Sequence, residues 1–210
     1  MATPSSTQAS RERTTRRKPA LSSSALRILI FLLVSGACFI GASNQGIAAE
    51  TSTSKEHQIK AAFVYNFTKF VEWSPNSFDG PSAPLILAVA GKGPQAAELE
   101  AVVKDRTVNG RKLVVRAVES PEAARGAHVL FLPASEDSRL AEWLDAVRDP
   151  GILTVGESGA FTRADGMISF VLEGDKVRFE INVVAAEQAG LKISSQLLKL
   201  AKTVRKQKQE

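Results

Sequence analysis

The chain has 210 residues and a formal net charge of +5, a balance that could indicate a partner with a phosphate backbone. The charge is unevenly placed, because residues 1–48 carry six of the 27 basic residues and one of the 22 acidic residues. The remaining chain therefore has 21 of each, and a neutral domain has no general electrostatic attraction to nucleic acid. We expect no nucleic-acid partner.

The first 48 residues have the pattern of a cleavable signal peptide. Basic residues precede the apolar run Ile28–Ile40, whose 13 residues fall short of the roughly 20 that a helix needs to cross a bilayer. Small residues follow, and Gly46 and Ala48 fit the shallow pockets of signal peptidase. The sequence predicts cleavage after Ala48 and a mature protein in the periplasm.

Three other interpretations of this segment remain open. Cys38 could accept a lipid, although Ser35 stands where lipoprotein sites usually carry Leu. Arg16 and Arg17 could belong to a twin-arginine signal, although the usual apolar residues do not follow them. The apolar run could also stay uncleaved as an anchor. Because Cys38 is the chain's single cysteine, cleavage would leave a domain without a disulfide, a thiolate metal ligand or a cysteine nucleophile.

The remaining 160 or so residues have the size of one domain with one core. We expect a flexible leader at 49–56, an α/β domain at 57–205 and a polar tail at 206–210. Helices and strands alternate through most of this domain. The predicted elements are helix His57–Trp73, strand Leu85–Ala90, helix Pro94–Lys104, strand Lys112–Val118, a helical turn Pro121–Arg125, strand His128–Leu132, helix Ser135–Arg148 capped by Ser135, strand Ile152–Val155, a hairpin of Met167–Leu172 and Lys176–Asn182, helix Val183–Ala189, and a last helix over 195–206.

The first of these helices has an aromatic face. Phe63, Phe67 and Phe70 recur at spacings of three and four, which predicts that they pack in the core. Strands that alternate with helices favour a parallel sheet covered on both sides. We therefore predict a single three-layer α/β domain, with a mostly parallel sheet flanked by helices and a C-terminal antiparallel hairpin.

Two glycine turns resemble motifs of enzymes. Gly91–Ala96 fits the loose pattern G-x-G-x-x-G/A of dinucleotide sites, but Pro94 lacks an amide hydrogen that would contact a pyrophosphate. Ser158 lies in a sequence close to the nucleophile elbow of hydrolases, but no histidine follows it along the chain. A plain turn is the better interpretation of both, and we expect no catalytic residue and no cofactor.

The titratable residues do not form a ligand-spaced group. His57 and His128 each open a predicted element, whereas a metal site needs several donors that converge. Glu136 and Asp137 are neighbours but have the placement of charges at a helix N-terminus. We expect no metal site.

A surface in the C-terminal third is the best candidate for binding a partner or a ligand. Glu157, Phe161 and Arg163 follow the fourth strand, at the end where open α/β sheets bind ligands. Arg178 and Glu180 alternate with apolar residues, so their charges share one face of a strand. A solvated face with an Arg–Glu pair is the simpler interpretation, and a recognition surface is the functional one.

Long segments of the sequence resemble the YfiR-like family. They are IKAAFVYNFTKFVEW, ILTVGES and GMISFVLEGDKVRFEINVVAAEQAGLKISSQLLKLAK, and the resemblance extends over residues 57–204. It implies a periplasmic repressor that binds the periplasmic sensor domain of an inner-membrane diguanylate cyclase and lowers cyclic-di-GMP signalling and biofilm formation. It also implies a homodimer, an outer-membrane lipoprotein as a second partner, and no established catalytic chemistry.

Two alternatives to this regulatory role remain. A periplasmic small-molecule-binding protein could use the same end of the sheet as a pocket, and an enzyme comes third. Family members can also carry disulfides that respond to periplasmic redox state. The mature sequence has no cysteine, so we do not expect redox control here.

Overall fold

A computed structural model describes residues 45–148 and 151–206, with side chains from Thr53 onward. Residues 1–44 and 207–210 lie outside this description, so cleavage, lipidation at Cys38 and anchoring by the apolar run stay predictions. Among the described residues, no helix combines the length and the hydrophobicity that crossing a membrane requires.

Short helices and strands alternate along the described chain. In order they are α1 (Gln45–Phe70), β1 (Val71–Glu72), a 3₁₀ helix (Pro75–Ser77), β2 (Leu85–Ala90), α2 (Gln95–Val103), β3 (Thr107–Val108), β4 (Arg111–Val118), a 3₁₀ helix (Pro121–Ala124), β5 (Val129–Leu132), a 3₁₀ helix (Ala134–Arg139), α3 (Leu140–Ala146), β6 (Leu153–Gly156), α4 (Gly159–Arg163), β7 (Ile168–Glu173), β8 (Lys176–Asn182), α5 (Val183–Gln188), β9 (Lys192–Ile193), α6 (Ser195–Leu200) and β10 (Thr203–Arg205).

The main sheet has eight strands in the order β10-β8-β7-β6-β5-β2-β4-β3. Strands β4, β2, β5, β6 and β7 pair in parallel, whereas β8 pairs antiparallel with β7 and parallel with β10. Strands β1 and β9 form a separate two-stranded antiparallel sheet. The prediction of a mostly parallel sheet with a C-terminal antiparallel hairpin is confirmed.

One face of the sheet packs against the aromatic stripe of α1. Phe67 is fully buried, and its ring centroid lies 5.0 Å from that of Phe179 and 5.8 Å from that of Phe170. Phe63 lies one turn earlier and contacts the same two rings at 5.5 and 6.1 Å. The predicted core role of the stripe is confirmed, and α1 is thereby fixed across the β7–β8 hairpin.

The opposite face has a smaller core around Trp143 and Phe161. The indole nitrogen of Trp143 donates to Glu136 Oε2 at 3.0 Å, so the buried ring keeps a hydrogen-bond partner. Phe161 packs where Gly156 and Gly166 lack side chains, and a Cβ on either glycine would overlap its ring. The two glycines therefore make room for one aromatic residue.

The first helix differs from its prediction at both ends. It begins at Gln45, so the expected leader at 49–56 is helical; the segment has neither Pro nor Gly, and Glu56 pairs with Lys60 one turn on. It ends at Phe70 because Val71–Glu72 pairs with Lys192–Ile193 in a two-stranded sheet. The sequence gives no local sign of a partner so far along the chain.

The predicted helix Ser135–Arg148 is a 3₁₀ helix followed by α3, and Ser135 does not cap it. The helix is interrupted at Arg139, which has φ −114° and ψ 13°. Its guanidinium donates to the carbonyl oxygen of Glu119 at 3.2 Å and to Glu142 Oε2 at 3.2 Å. These contacts favour the break over a continuous helix.

The last predicted helix is also shorter than expected. Ser194 caps α6 by accepting a hydrogen bond from the backbone of Gln196, as one of the two predicted caps. The helix stops at Leu200, and Thr203–Arg205 forms the edge strand β10. Pairing with β8 satisfies this backbone better than another helical turn, beginning with the bond from Lys202 N to Phe179 O at 2.8 Å.

Truncation of the aromatic stripe should destabilise the domain in proportion to burial. We expect Phe67→Ala to lower the free energy of unfolding by about 3–5 kcal/mol, because it leaves a cavity among aromatic rings. Phe63→Ala, at a partly buried position of the same stripe, is the matched control and should cost roughly half as much. Urea denaturation measures both. Equal losses would contradict the proposed packing.

Candidate functional site

A buried ion pair lies at the carboxyl ends of strands β5 and β6. Lys60 Nζ is 3.1 Å from Glu157 Oε1, and the two side chains are only 9% and 7% exposed. Lys60 also contacts Glu56 Oε1 at 2.6 Å, and the backbone N–H of Ala134 donates to Glu157 Oε2 at 3.2 Å. Buried charges are costly unless they are paired, so this cluster requires its partners.

Three separate elements supply the cluster. Glu157 follows the last residue of β6, and Ala134 follows β5, because parallel neighbours end at the same edge of the sheet. Lys60 comes from α1, which the aromatic stripe holds across the sheet. The ion pair therefore joins α1 to the loop that follows β6.

A groove of about 460 Å³ opens beside this ion pair, and we call it the sheet-end groove. Its polar side is formed by Glu56, His57, Lys60 and Glu157, and its apolar side by Phe170, Val171 and Leu172. Leu172 is 57% exposed. Polar and apolar residues thus line one opening.

The five predicted binding residues fall in four different places. Glu157 lines the sheet-end groove, as described above. Phe161 is 1% exposed, because its ring fills the space left by two glycines, so it is a core residue and presents no contact surface. Arg178 is half exposed on strand β8 and lies 3.6 Å from Glu173, which matches the simpler interpretation of a solvated ion pair.

Arg163 and Glu180 line a second groove, which we call the strand-face groove. It has a volume of about 160 Å³ and lies between α4 and strands β8 and β10. Glu180 accepts a hydrogen bond from Thr203 Oγ1 at 3.2 Å, and Arg205 pairs with Asp165 at 3.0 Å. Sequence analysis assigned Arg163 and Glu180 to one candidate surface, and in the structure both residues line one groove.

Lys60 and Leu172 were missed by sequence analysis. Lysine is almost always exposed, so its place in α1 gave no reason to expect burial. The one local signal was the spacing of Glu56 and Lys60, which is typical of an ion pair on a helix. The contact with Glu157 depends on the tertiary fold and has no local sign.

The two motif-like turns have structural roles. Gly91 has φ +84°, and a Cβ there would lie 2.6 Å from Glu136 Oε1. A carboxylate at this turn repels a phosphate, which argues against a dinucleotide site. Ser158 accepts a hydrogen bond from the backbone of Phe161 at 3.0 Å and donates to Asp137 at 2.8 Å, so it caps α4.

His128 lies at the other end of the sheet, before β5. Its Nδ1 accepts a hydrogen bond from the backbone N–H of Ile86 at 3.1 Å, so Nε2 carries the proton and donates to the carbonyl oxygen of Ser77 at 3.0 Å. The ring stacks on Phe78 at 4.4 Å. Burial lowers the pKa of His128, and these contacts identify it as a neutral structural residue.

In the part of the chain with described side chains, no three His, Asp or Glu residues are arranged to hold a metal ion.

The fold and these grooves define an open three-layer α/β domain with polar residues at the carboxyl ends of its parallel strands. Residues 57–202 match the family described as YfiR/HmsC-like. The match covers more than half of the chain, so the chain belongs to the YfiR/HmsC-like family. At the level of the family, this membership supports a periplasmic regulator of cyclic-di-GMP signalling.

Two solved structures show a weaker similarity. A conserved domain protein from Vibrio cholerae O1 biovar El Tor is 14% identical with a TM-score of 0.45, and the match covers 58% of this chain and 55% of that one. The ABC domain in complex with L-Trp from Streptococcus pneumonia is 15% identical with a TM-score of 0.44, covering 63% of this chain and 56% of that one. The chain thus spans little more than half the length of these two proteins, and nothing about activity follows from the likeness.

Removal of one member of the buried ion pair should be more harmful than removal of both. We expect Lys60→Met to lower the free energy of unfolding by about 3 kcal/mol, because it leaves Glu157 charged and buried. The double variant Lys60→Met/Glu157→Gln should regain most of this loss. Denaturation of the single and double variants measures the coupling, and additive losses would contradict a direct interaction.

Stability should fall as the solution becomes mildly acidic, because of His128. The pKa of His128 is lower in the folded state, so the unfolded state binds the extra proton first. The contribution of His128 is complete above its unfolded pKa of about 6.5 and is lost as pH falls toward the lowered folded pKa. Urea denaturation between about pH 5 and 7.5 measures this slope. The slope should be smaller in His128→Asn than in the unsubstituted protein.

Proposed function

We propose that this protein is a periplasmic regulator that binds the periplasmic sensor domain of an inner-membrane diguanylate cyclase and represses it. The observation that carries the proposal is the family match over residues 57–202, which contains all of the strands of the main sheet except β10. Repression of the cyclase would lower cyclic-di-GMP and biofilm formation. The predicted signal peptide supports the proposal, because export would bring the regulator into the compartment of that sensor domain.

The regulator acts by differential affinity for two states of the sensor. A protein that binds an inactive conformation more tightly than an active one shifts the population toward the inactive one. No covalent step is needed, and the protein is proposed to work without catalysis or a cofactor. The contacts of Ser158, which resembled a catalytic nucleophile in sequence, support this proposal, since its hydroxyl caps α4.

The proposed contact surface is the exposed side of strand β8. Arg178 and Glu180 project from the face opposite to Phe179, which is buried against α1. The side chain of Arg178 is half exposed, and its 3.6 Å contact with Glu173 is a weak surface pair that a partner could replace. A homodimer and an outer-membrane lipoprotein that sequesters the regulator complete the proposed set of partners.

A small-molecule-binding function is the second candidate, and the strand-face groove favours it. This groove places the charged groups of Arg163 and Glu180 near the hydroxyl groups of Ser169 and Thr203. A polar ligand that binds here would change the melting temperature of the protein without any cyclase present. Thermal scans against a panel of polyols and amino acids test this candidate.

Deletion of the gene tests the regulatory proposal. We expect cyclic-di-GMP and biofilm to rise in the deletion strain and to return to normal when the intact gene is supplied. A gene carrying Arg178→Glu should restore repression only partly, because charge reversal at a contact surface weakens binding. Arg148→Glu, at a more exposed arginine in the segment after α3, should restore it fully. An unchanged level of cyclic-di-GMP after deletion would refute repression.

Cell fractionation is a separate test, and it would show whether the mature protein is in the periplasm.

A further inference from the structure

We propose that the sheet-end groove is a binding site for a small organic cation, with an ammonium or guanidinium group attached to an apolar chain. The groove lies between the middle of α1 and the carboxyl ends of β5, β6 and β7. Open α/β sheets bind ligands at this end of their parallel strands. The site is separate from strand β8, so this proposal does not rest on repression of a cyclase.

The residues that line the groove indicate that the ligand has a positive charge. Glu56 and Glu157 contribute two negative charges, and Lys60 contributes one positive charge, so the cluster has a negative excess. Lys60 is already in contact with both carboxylates, which leaves it little capacity to attract an anion. Burial of Lys60 and Glu157 weakens the screening by water and strengthens the attraction for a cation.

The hydrogen bonds of Glu157 indicate that the ligand donates a hydrogen bond to this carboxylate. Glu157 Oε2 accepts a bond from the backbone of Ala134, whereas the buried Oε1 accepts no hydrogen bond. Lys60 Nζ lies 3.1 Å from Oε1, close enough for an ion pair but without hydrogen-bond geometry. Buried polar atoms in folded proteins are almost always satisfied. An N–H group from a ligand in the groove would satisfy this oxygen with a charge-assisted bond.

The shape of the ligand follows from the apolar residues of the groove. Phe170, Val171 and Leu172 line the same groove as the carboxylates, and Leu172 is largely exposed to solvent. The volume of about 460 Å³ is within the range of small-molecule sites. A cationic head beside Glu157 and a short hydrocarbon chain against Leu172 would fill both halves of the groove.

Three six-carbon probes separate charge from hydrophobicity. Each of the three has six carbons. Hexylamine is positively charged, hexanol is neutral and hexanoate is negatively charged. In NMR titrations of the purified protein, we expect saturable shifts at the groove with hexylamine, at least about tenfold weaker binding of hexanol, and no saturable binding of hexanoate. Equal affinity for hexylamine and hexanol, or tighter binding of hexanoate, would overturn the proposal.

Variants of the charged and the apolar residues of the groove test whether the probe binds there. Glu157→Gln should weaken hexylamine binding about tenfold, and Glu56→Gln should weaken it severalfold at a site exposed enough to preserve folding. Leu172→Ser should weaken hexylamine and hexanol alike, because it removes the apolar wall. Glu142 is an exposed carboxylate on α3, and Glu142→Gln is the matched control. This variant should bind hexylamine as tightly as the unsubstituted protein does. Undiminished hexylamine binding in Glu56→Gln and Leu172→Ser would refute the site even if Glu157→Gln fails to fold.

Discussion

The packing of α1 across the β7–β8 hairpin is the interaction on which the other features depend. Phe63 and Phe67 lie against Phe170 and Phe179, and these four rings join the first helix of the domain to its late antiparallel hairpin. The same helix carries Lys60 to the ends of the parallel strands. A single element therefore supplies part of the core and part of the sheet-end groove, so a shift of the helix would alter both.

The order of the strands explains why two different surfaces arise on one small domain. The parallel strands β5, β6 and β7 end together and leave a polar opening beside α1. Strands β8 and β10 extend the sheet beyond the smaller core, and their outward face carries Glu180 and Thr203. The first surface contains the buried pair of Lys60 and Glu157, whereas the second carries charges that are more exposed.

Local patterns in the sequence were sufficient for the fold class and for the six longer strands, which are β2, β4, β5, β6, β7 and β8. The run LILAVA and the turn at Gly174 predicted β2 and the β7–β8 hairpin at almost their observed boundaries. Features that depend on distant partners could not be predicted, among them the pairing of Val71 with Ile193 and the edge strand at Thr203. The candidate site divides in the same way. Glu157 was predicted from its place after a strand, whereas the burial of Lys60 needed the tertiary fold.

The position of β10 has a consequence for the order in which the sheet can be completed. Strand β8 lies between β7 and β10, so the outer backbone groups of Glu180–Asn182 have no partner in the sheet until Thr203–Arg205 are available. An unpaired strand edge is a template for pairing with another chain. A nascent or truncated chain that ends before Thr203 would leave this part of the edge open, so β10 protects it from pairing with another chain.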